Sequence, residues 1–309
     1  MIKIHNISES LKEEYKKDGI KQLKDFLVTV SSNPKYKKII TFLSTNGALD
    51  DDKIEKLLLG DIIYLRTAIQ NIGRITDDDV KGEFERLYKN FTKRKFGGQW
   101  AEKIGVKICP YCNRNYIFTL QNSSVRPQYD HFFPKSLYPY LALSMYNLIP
   151  CCAVCNSAKQ DFDTYDSTIL EENFIYPYRD SYGEQFNFQI VNGDDINSWI
   201  GIAEDYKLTI VSVPGVPRTL FQRQSNAAKK LNLIELYNKH GDFVRDIVRT
   251  AYVYNDEYYQ SLVQCYPELF SSISEAKNFV YINYLDEVDW GKRVLSKLSH
   301  DIIEECKME

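Results

Sequence analysis

The fold is decided by residues 108–161, which read ICPYCNRNYIFTLQNSSVRPQYDHFFPKSLYPYLALSMYNLIPCCAVCNSAKQD. Cys109 and Cys112 form one Cys-x-x-Cys pair, and Cys152 and Cys155 form a second pair 39 residues further on. Four thiolates from two such pairs suit the tetrahedral coordination of a structural zinc ion, with Zn–S distances of about 2.3 Å. A redox-active Cys-x-x-Cys is the competing interpretation, but redox chemistry needs only one pair. The spacing therefore predicts a structural zinc site.

The composition of the whole chain indicates a folded protein. Its 309 residues allow two or three domains, and 44% hydrophobic and 14% aromatic residues supply a core without disulfides. The 26% charged residues exclude disorder over most of the length. No apolar run approaches the roughly 20 residues that cross a bilayer, and the N-terminus lacks the apolar segment of a secretory signal. We therefore expect an intracellular, cytoplasmic protein that is soluble.

The remaining three of the seven cysteines are predicted to be thiols without a catalytic role. Disulfides are disfavoured in a reducing compartment. Cys151 directly precedes the second pair, and we expect it to be a buried apolar neighbour, the alternative being that it replaces one of the four ligands. Cys265 and Cys306 stand alone in the sequence and are interpreted as ordinary thiols.

A basic segment interrupts an otherwise acidic chain. The net charge is −3, yet positions 86–135 contain ten Lys and Arg residues against two acids, a local charge of +8 that leaves −11 for the rest. Such a segment is typical of a polyanion-binding surface. A solvated, lysine-rich helix face is the alternative that charge alone leaves open.

Hydrophobic periodicity predicts an α+β fold that is mostly helical. Ser8 is the expected N-cap of the first helix, and Gly97 and Gly98 are expected to break a later one. The predicted strands are 116–120, 128–133, and 183–191 with its partner 206–213. A short helix is predicted at 153–160, and helical periodicity returns from residue 220. The predicted regions are a helical region 1–107, a zinc-stapled core 108–165, and a mixed, mainly helical region 166–309.

Polar residues with catalytic potential lie between and just after the cysteine pairs. Asp130 and His131 occur in the strand-like QYDHFFP, Asn147 precedes the next strand-like run, Asn156 follows the last cysteine, and Lys159 comes three residues later. This combination resembles the HNH (ββα-metal) nuclease family in its zinc-knuckle form. That family has Asp-His on a first strand, Asn opening a second strand, and His or Asn at the start of a helix. The resemblance covers about 55 of the 309 residues.

The resemblance implies a role for each of these residues. Asp130 would be the metal-binding acid, His131 the general base, Asn147 the residue that fixes the loop, and Asn156 the second metal ligand. An asparagine oxygen is a hard ligand, which favours Mg²⁺ or Mn²⁺ as the catalytic ion. Lys159 would share a helix face with Asn156 and contact a phosphate, the alternative being an ordinary helix lysine.

General chemistry supports the same assignment. Phosphodiester hydrolysis needs an activated water and a cation on the phosphate, and a histidine with a pKa near about 6.5 suits proton transfer from water. We therefore expect activity to fall on acidification below about pH 6.5. Adjacent strand residues point to opposite faces, so Asp130 as metal ligand and His131 as base can serve one site only where the strand ends or bulges. Lys135 and Arg114 are further candidate phosphate contacts.

These inferences predict a metal-dependent HNH endonuclease acting on nucleic acid, DNA more readily than RNA. The alternative is a non-catalytic zinc-ribbon module that binds nucleic acid or protein. The segments DHFFPKS and NLIPCCAVCNSAK are similar to HNH proteins of bacterial anti-phage systems, among them PtuB-type subunits of Septu-like and retron-associated systems. That similarity implies an ATPase partner of the ABC/RecF type, with the helical flanks as docking surfaces.

Overall fold

The computed structural model describes residues 2–5, 7–93, 96–120, 125–191 and 195–308. The chain forms two compact units. The first, here called the N-terminal unit, consists of Lys3–Val106 and Ile117–Arg179. The second, the C-terminal unit, consists of Met1–Ile2, Lys107–Tyr116 and Asp180–Glu309. The three regions predicted from the sequence divide the chain differently, and that division stays a prediction.

Helices make up most of the N-terminal unit. Ser8 caps the first helix as predicted, because its hydroxyl accepts a hydrogen bond from the Leu11 N–H at 3.3 Å. Gly97 and Gly98 were expected to break a helix but lie inside one. A helical glycine costs only about 1 kcal/mol, which burial of the following Trp100 offsets. The helices are α1 (Glu9–Val30), α2 (Lys37–Phe42), α3 (Asp51–Leu59), α4 (Ile62–Ile72), α5 (Asp78–Lys93), α6 (Phe96–Ile104) and α7 (Ala153–Lys159).

The strands that the structure describes in this unit form three two-stranded antiparallel sheets. The pairs are β1 (Ser44–Thr45) with β2 (Ala48–Leu49), β3 (Gln128–His131) with β4 (Leu148–Cys151), and β5 (Tyr165–Asp166) with β6 (Glu171–Glu172). In the second sheet Asp130 lies opposite Ile149 and His131 opposite Leu148. Helix α7 follows β4 directly and packs against β3. The fold therefore places a hairpin and a short helix where the candidate catalytic residues occur.

The predicted strand at 116–120 is wrong. Tyr116 makes an isolated bridge with Ile108, and the structure describes residues 117–120 without strand conformation. Residues with high strand propensity need a partner strand to form a ladder, and in the described residues the turn after Ile108 gives an isolated bridge between Ile108 and Tyr116 instead.

A core cluster anchors the loop between β3 and β4, residues 132–147, to the helices. The Tyr15 hydroxyl of α1 donates to the Leu143 carbonyl at 2.7 Å, and the Ser144 hydroxyl donates to the Leu57 carbonyl of α3 at 2.5 Å. Because α1 and α3 hold this loop, the helical region supports the hairpin. The cluster comprises Ile7, Leu11, Tyr15, Leu58, Phe91, Trp100, Ala142, Leu143, Met145 and Leu148.

The C-terminal unit combines helices with a two-stranded sheet whose strands are separated by a short helix. Its two strands pair with each other as predicted, and the pairing is antiparallel. A buried Lys297–Asp301 ion pair on the last helix also binds the first strand, where Asp301 accepts from the Phe188 N–H at 2.8 Å. The structure thus confirms a mixed, mostly helical fold. The helices described are all too short or too polar to cross a membrane. The elements are β7 (Phe186–Ile190), α8 (Ile196–Trp199), β8 (Leu208–Ser212), α9 (Arg218–Lys230), α10 (Leu233–Tyr237), α11 (Gly241–Val253), α12 (Asp256–Cys265), α13 (Ile273–Val280) and α14 (Ser296–Met308).

Candidate functional site

The four predicted zinc ligands converge in the fold. The Sγ atoms of Cys109, Cys112, Cys152 and Cys155 all lie within 4.8 Å of one another, and all four residues are buried. A zinc ion at about 2.3 Å from four sulfurs places them about 3.8 Å apart, so the cluster has the size that zinc needs. All four are outside disulfides. The donor set therefore fits a tetrahedral thiolate-binding metal, and zinc remains the predicted ion.

The backbone around the first pair is shaped for thiolates. The Cys109 N–H donates to the Asn115 carbonyl at 2.9 Å, and the Arg114 N–H donates to Cys112 Sγ at 3.4 Å. A hydrogen bond to sulfur favours the charged thiolate. This turn requires Asn113 to adopt a positive φ of 50°, a conformation that asparagine tolerates better than most residues.

Helix α10 and the turn after it support the same loop. The Tyr237 hydroxyl donates to the Cys112 carbonyl at 2.5 Å, and the Arg114 guanidinium lies over the Tyr237 ring. Arg114 Nε also donates to His240 Nε2 at 3.0 Å, while burial and the nearby Arg114 charge lower the pKa of His240. Arg114 was a candidate phosphate contact from the sequence; in the structure its guanidinium is engaged inside the C-terminal unit.

The second pair begins helix α7. Cys152 is the N-cap, and its Sγ accepts from the Cys155 N–H at 3.4 Å. Cys151, the residue predicted to be the spare thiol, lies outside the group of four and is buried at the end of β4. Burial raises the pKa of the Cys151 thiol, with the nearby Asp130 charge adding to the effect. Cys151 is therefore a neutral, buried neighbour.

Asp130 and Lys159 form a buried ion pair. Lys159 Nζ donates to Asp130 Oδ1 at 2.9 Å and to the His131 carbonyl at 2.9 Å. The lysine side chain is 0% exposed and the aspartate side chain 4% exposed. The sequence interpretation placed Lys159 at a phosphate; the structure places its amine inside the protein, where it orients the Asp130 carboxylate.

His131 is held as a neutral imidazole. Its Nε2 lies 3.1 Å from the Ala142 carbonyl, and its ring meets the Tyr88 ring edge-to-face at a centroid distance of 4.6 Å. A carbonyl only accepts hydrogen bonds, so Nε2 carries the proton and Nδ1 keeps its lone pair. Burial, together with the Lys135 and Lys159 charges, lowers the pKa of His131 to about 3. In this buried form His131 stays neutral well below about pH 6.5, so protonation of this residue would not cause the loss of activity expected there.

Asn147 fixes the loop that follows β3. Its Oδ1 accepts from the Phe133 N–H at 2.8 Å, and its Nδ2 donates to the Phe133 and Leu141 carbonyls, each at 3.1 Å. The side chain is completely buried. One amide thus satisfies three backbone groups of residues 132–147, and its role in a nuclease site stays a prediction.

Asn156 is oriented by a residue that the sequence interpretation missed. Its Nδ2 donates to Gln128 Oε1 at 2.7 Å. This hydrogen bond fixes the orientation of the Asn156 amide, with its Oδ1 at the end away from Gln128. Gln128 precedes Asp130 by two positions on β3 and therefore shares its face of the strand. Gln128–Asn156 and Asp130–Lys159 are consequently two polar pairs along one contact of β3 with α7. Side chains alternate between the two faces of a strand, so the two-residue spacing in the sequence is the signal that could have linked Gln128 to Asp130.

Part of the basic segment is neutralised by acids. Lys89 and Lys135 both pair with Glu85, at 3.2 and 3.3 Å, and Lys103 pairs with Glu14 at 2.5 Å. Glu85 and Glu14 lie before the segment that the charge count covered. The polyanion-binding surface predicted from local charge is therefore weaker than +8 suggests.

Comparison with known proteins gives one partial similarity. The chain is 29% identical over 86 residues to the Septu protein PtuB of Bacillus thuringiensis. The aligned part is 28% of this chain and 31% of the length of PtuB, so most of both chains lies outside it. No family model and no solved structure matches the chain. The similarity supports a Septu-related link and leaves membership of the HNH family as a proposal.

Proposed function

We propose that this chain is a metal-dependent endonuclease of the HNH type that acts in the cytoplasm as part of anti-phage defence. Its substrate would be nucleic acid, DNA more readily than RNA. The observation that carries the proposal is the imidazole of His131, fixed by the Ala142 carbonyl in the tautomer that leaves Nδ1 as a base. The partial similarity to the Septu protein PtuB supports the defence role.

In this proposal His131 takes the proton of the attacking water at Nδ1. The proton on Nε2 is held by the Ala142 carbonyl, which prevents the ring from turning. In the buried form, with a pKa of about 3, the imidazole is a weak base. Solvent and substrate entering beside Tyr88 would return the pKa towards about 6.5, where a histidine is effective at neutral pH. The buried geometry thus corresponds to a resting site that opens before cleavage.

The remaining residues hold the metal and the base in place. Asp130 and Asn156 offer the oxygen donors that suit Mg²⁺ or Mn²⁺, and such an ion, when bound, neutralises charge on the scissile phosphate. Lys159 keeps the Asp130 carboxylate in one orientation. Gln128 accepts from the Asn156 Nδ2, so the Asn156 oxygen is directed away from Gln128. Asn147 keeps the loop beside His131 closed. The zinc cluster would stabilise the start of α7.

The test is cleavage by the purified full-length chain. Plasmid, single-stranded DNA and tRNA are each incubated with and without Mg²⁺, and in the presence or absence of the proposed ATPase partner of the ABC/RecF type. We expect His131→Ala to lower the rate about 10²–10⁴-fold. His5→Ala, which removes an exposed histidine, should cleave like the wild type. After treatment with EDTA, Mg²⁺ should restore cleavage and zinc alone should not. Cleavage by His131→Ala at the wild-type rate would refute the proposal.

A second candidate function is a non-catalytic zinc-containing binding module. The burial of Asp130, His131 and Lys159 favours it, because an internal polar network can also serve the fold alone. This candidate predicts nucleic-acid binding without cleavage under every divalent ion tested, and no effect of His131→Ala on binding. The cleavage assay above therefore separates the two candidates directly.

A further inference from the structure

A groove in the N-terminal unit lies outside the candidate nuclease residues. It is formed by α2, the start of α3 and one face of α4, and its volume is about 860 Å³. This volume is in the range of about 300–1,000 Å³ that is usual for ligand sites. Its lining is rich in lysine, with aromatic rings and hydroxyl groups between the lysines. The groove therefore has the size and the chemistry of a binding site.

The groove carries an excess of positive charge. Four lysines and two aspartates line it. Asp52 is paired with Lys56 at 2.7 Å, and Asp50 accepts backbone hydrogen bonds as the N-cap of α3. Lys53 donates to the Ser44 carbonyl, a neutral partner. The aspartates are thus committed to structural contacts.

Lys37 and Lys38 supply the available charge. Both are exposed on α2, and neither forms an ion pair with the residues that the structure describes. Consecutive residues of a helix point about 100° apart, so the two side chains leave the helix in different directions and can reach separate phosphate groups. They suit two successive phosphates of a strand better than the compact phosphate group of a free nucleotide.

Two aromatic rings lie in the same groove. The Phe42 and Tyr64 centroids are 5.9 Å apart, with an interplanar angle of 49°, and both residues are partly exposed. The Tyr64 hydroxyl donates to the Lys53 carbonyl at 3.2 Å, which fixes the ring. Aromatic rings beside lysines are the usual combination in proteins that bind single-stranded nucleic acid, where bases stack on the rings and phosphates meet the cations.

We propose that this groove binds a single-stranded nucleic acid, with successive phosphates at Lys37 and Lys38 and a base against Phe42. The binding requires no metal and is independent of the nuclease proposal. The groove is separate from the residues of β3 and α7, so this binding does not require that those residues contact nucleic acid.

The experiment measures binding of labelled dT12 and U12 to the full chain by fluorescence anisotropy without divalent ions. For single strands, each phosphate contact contributes about 0.7 to the slope of log K against log salt concentration. Lys37→Ala/Lys38→Ala should therefore reduce the magnitude of the slope by about 1.4. Lys17→Ala/Lys21→Ala removes the same charge from exposed positions of α1 and should leave the slope unchanged. Phe42→Leu keeps an apolar side chain and should weaken binding about tenfold through loss of stacking.

Three outcomes would overturn the proposal. One is an equal effect of the two double variants, which would indicate general charge attraction. Another is complete displacement of dT12 and U12 by ATP at low concentration, which would assign the groove to a free nucleotide. The third is crosslinking of a 5-iodouridine oligonucleotide only to peptides without Phe42 or Tyr64. Because no divalent ion is present, a failure of the nuclease proposal changes none of these results.

Discussion

Replacing Lys159 with methionine tests the buried ion pair that holds Asp130. Methionine has a similar length but no charge, so the variant deprives the Asp130 carboxylate of this cation and the His131 carbonyl of its donor. Removing one partner of a buried pair costs about 3–5 kcal/mol, and leaving a buried carbonyl unsatisfied costs about 1–3 kcal/mol. We expect the free energy of unfolding to fall by at least about 4 kcal/mol.

A double variant separates the two contributions. In Asp130→Leu/Lys159→Met both charges are gone, and apolar replacements of a buried pair are often neutral. The His131 carbonyl then lacks its donor, and this accounts for an expected loss of about 1–3 kcal/mol. The double variant should therefore be more stable than Lys159→Met by about 3 kcal/mol. Lys135→Met, which breaks a partly exposed pair with Glu85, is the control and should cost less than about 1 kcal/mol.

The assay is equilibrium urea unfolding of the zinc-loaded chain, followed by circular dichroism. Equal stability of Lys159→Met and the wild type would refute the structural role of the pair. So would a double variant no more stable than the single one. If Lys159 instead contacts a phosphate, Lys159→Met should keep its stability and lose about 0.7 to 0.9 of the salt slope of nucleic-acid binding.

Three further predictions concern the metal cluster, the histidine and the loop. Freshly purified protein should contain one zinc per chain by elemental analysis, and Cys152→Ser should lose the ion together with local order, because binding of structural zinc is worth on the order of 10 kcal/mol. The folded-state pKa of His131, about 3, lies below the unfolded value of about 6.5, so the unfolded chain binds more protons between these values and stability falls on acidification. Urea unfolding at several pH values between pH 6 and pH 4 should show that the free energy of unfolding of His131→Phe falls less steeply with acidification than that of the wild type, by about 1.4 kcal/mol per pH unit. An equal pH dependence of the two proteins would contradict the buried neutral state. Asn147→Ala should lower the free energy of unfolding by about 1–3 kcal/mol, because it leaves the Phe133 backbone groups unsatisfied, and hydrogen exchange should show earlier opening of residues 132–147.

Local sequence features predicted the elements of this fold well. The N-cap at Ser8 and the α7 helix follow from interactions between residues a few positions apart, and the alternating strand β7 with its partner β8 follows from period-two burial. The failures have the same physical origin. The strand predicted at 116–120 had the right residues, but in the described part of the chain it forms an isolated bridge between Ile108 and Tyr116 in place of a ladder. Gly97 and Gly98 were outweighed by packing that the sequence does not display.

The sequence by itself determined which residues are candidates for the site, because the Cys-x-x-Cys spacing and the order of Asp130, His131, Asn147 and Asn156 are properties of the chain. Only the tertiary structure decided what surrounds them. It brought together two cysteine pairs that lie 39 residues apart, moved Lys159 from an expected phosphate contact to a buried partner of Asp130, and lowered the pKa of His131. Burial and ion pairing depend on groups distant in sequence, so local spacing identifies the donors of a site while packing sets their partners and protonation.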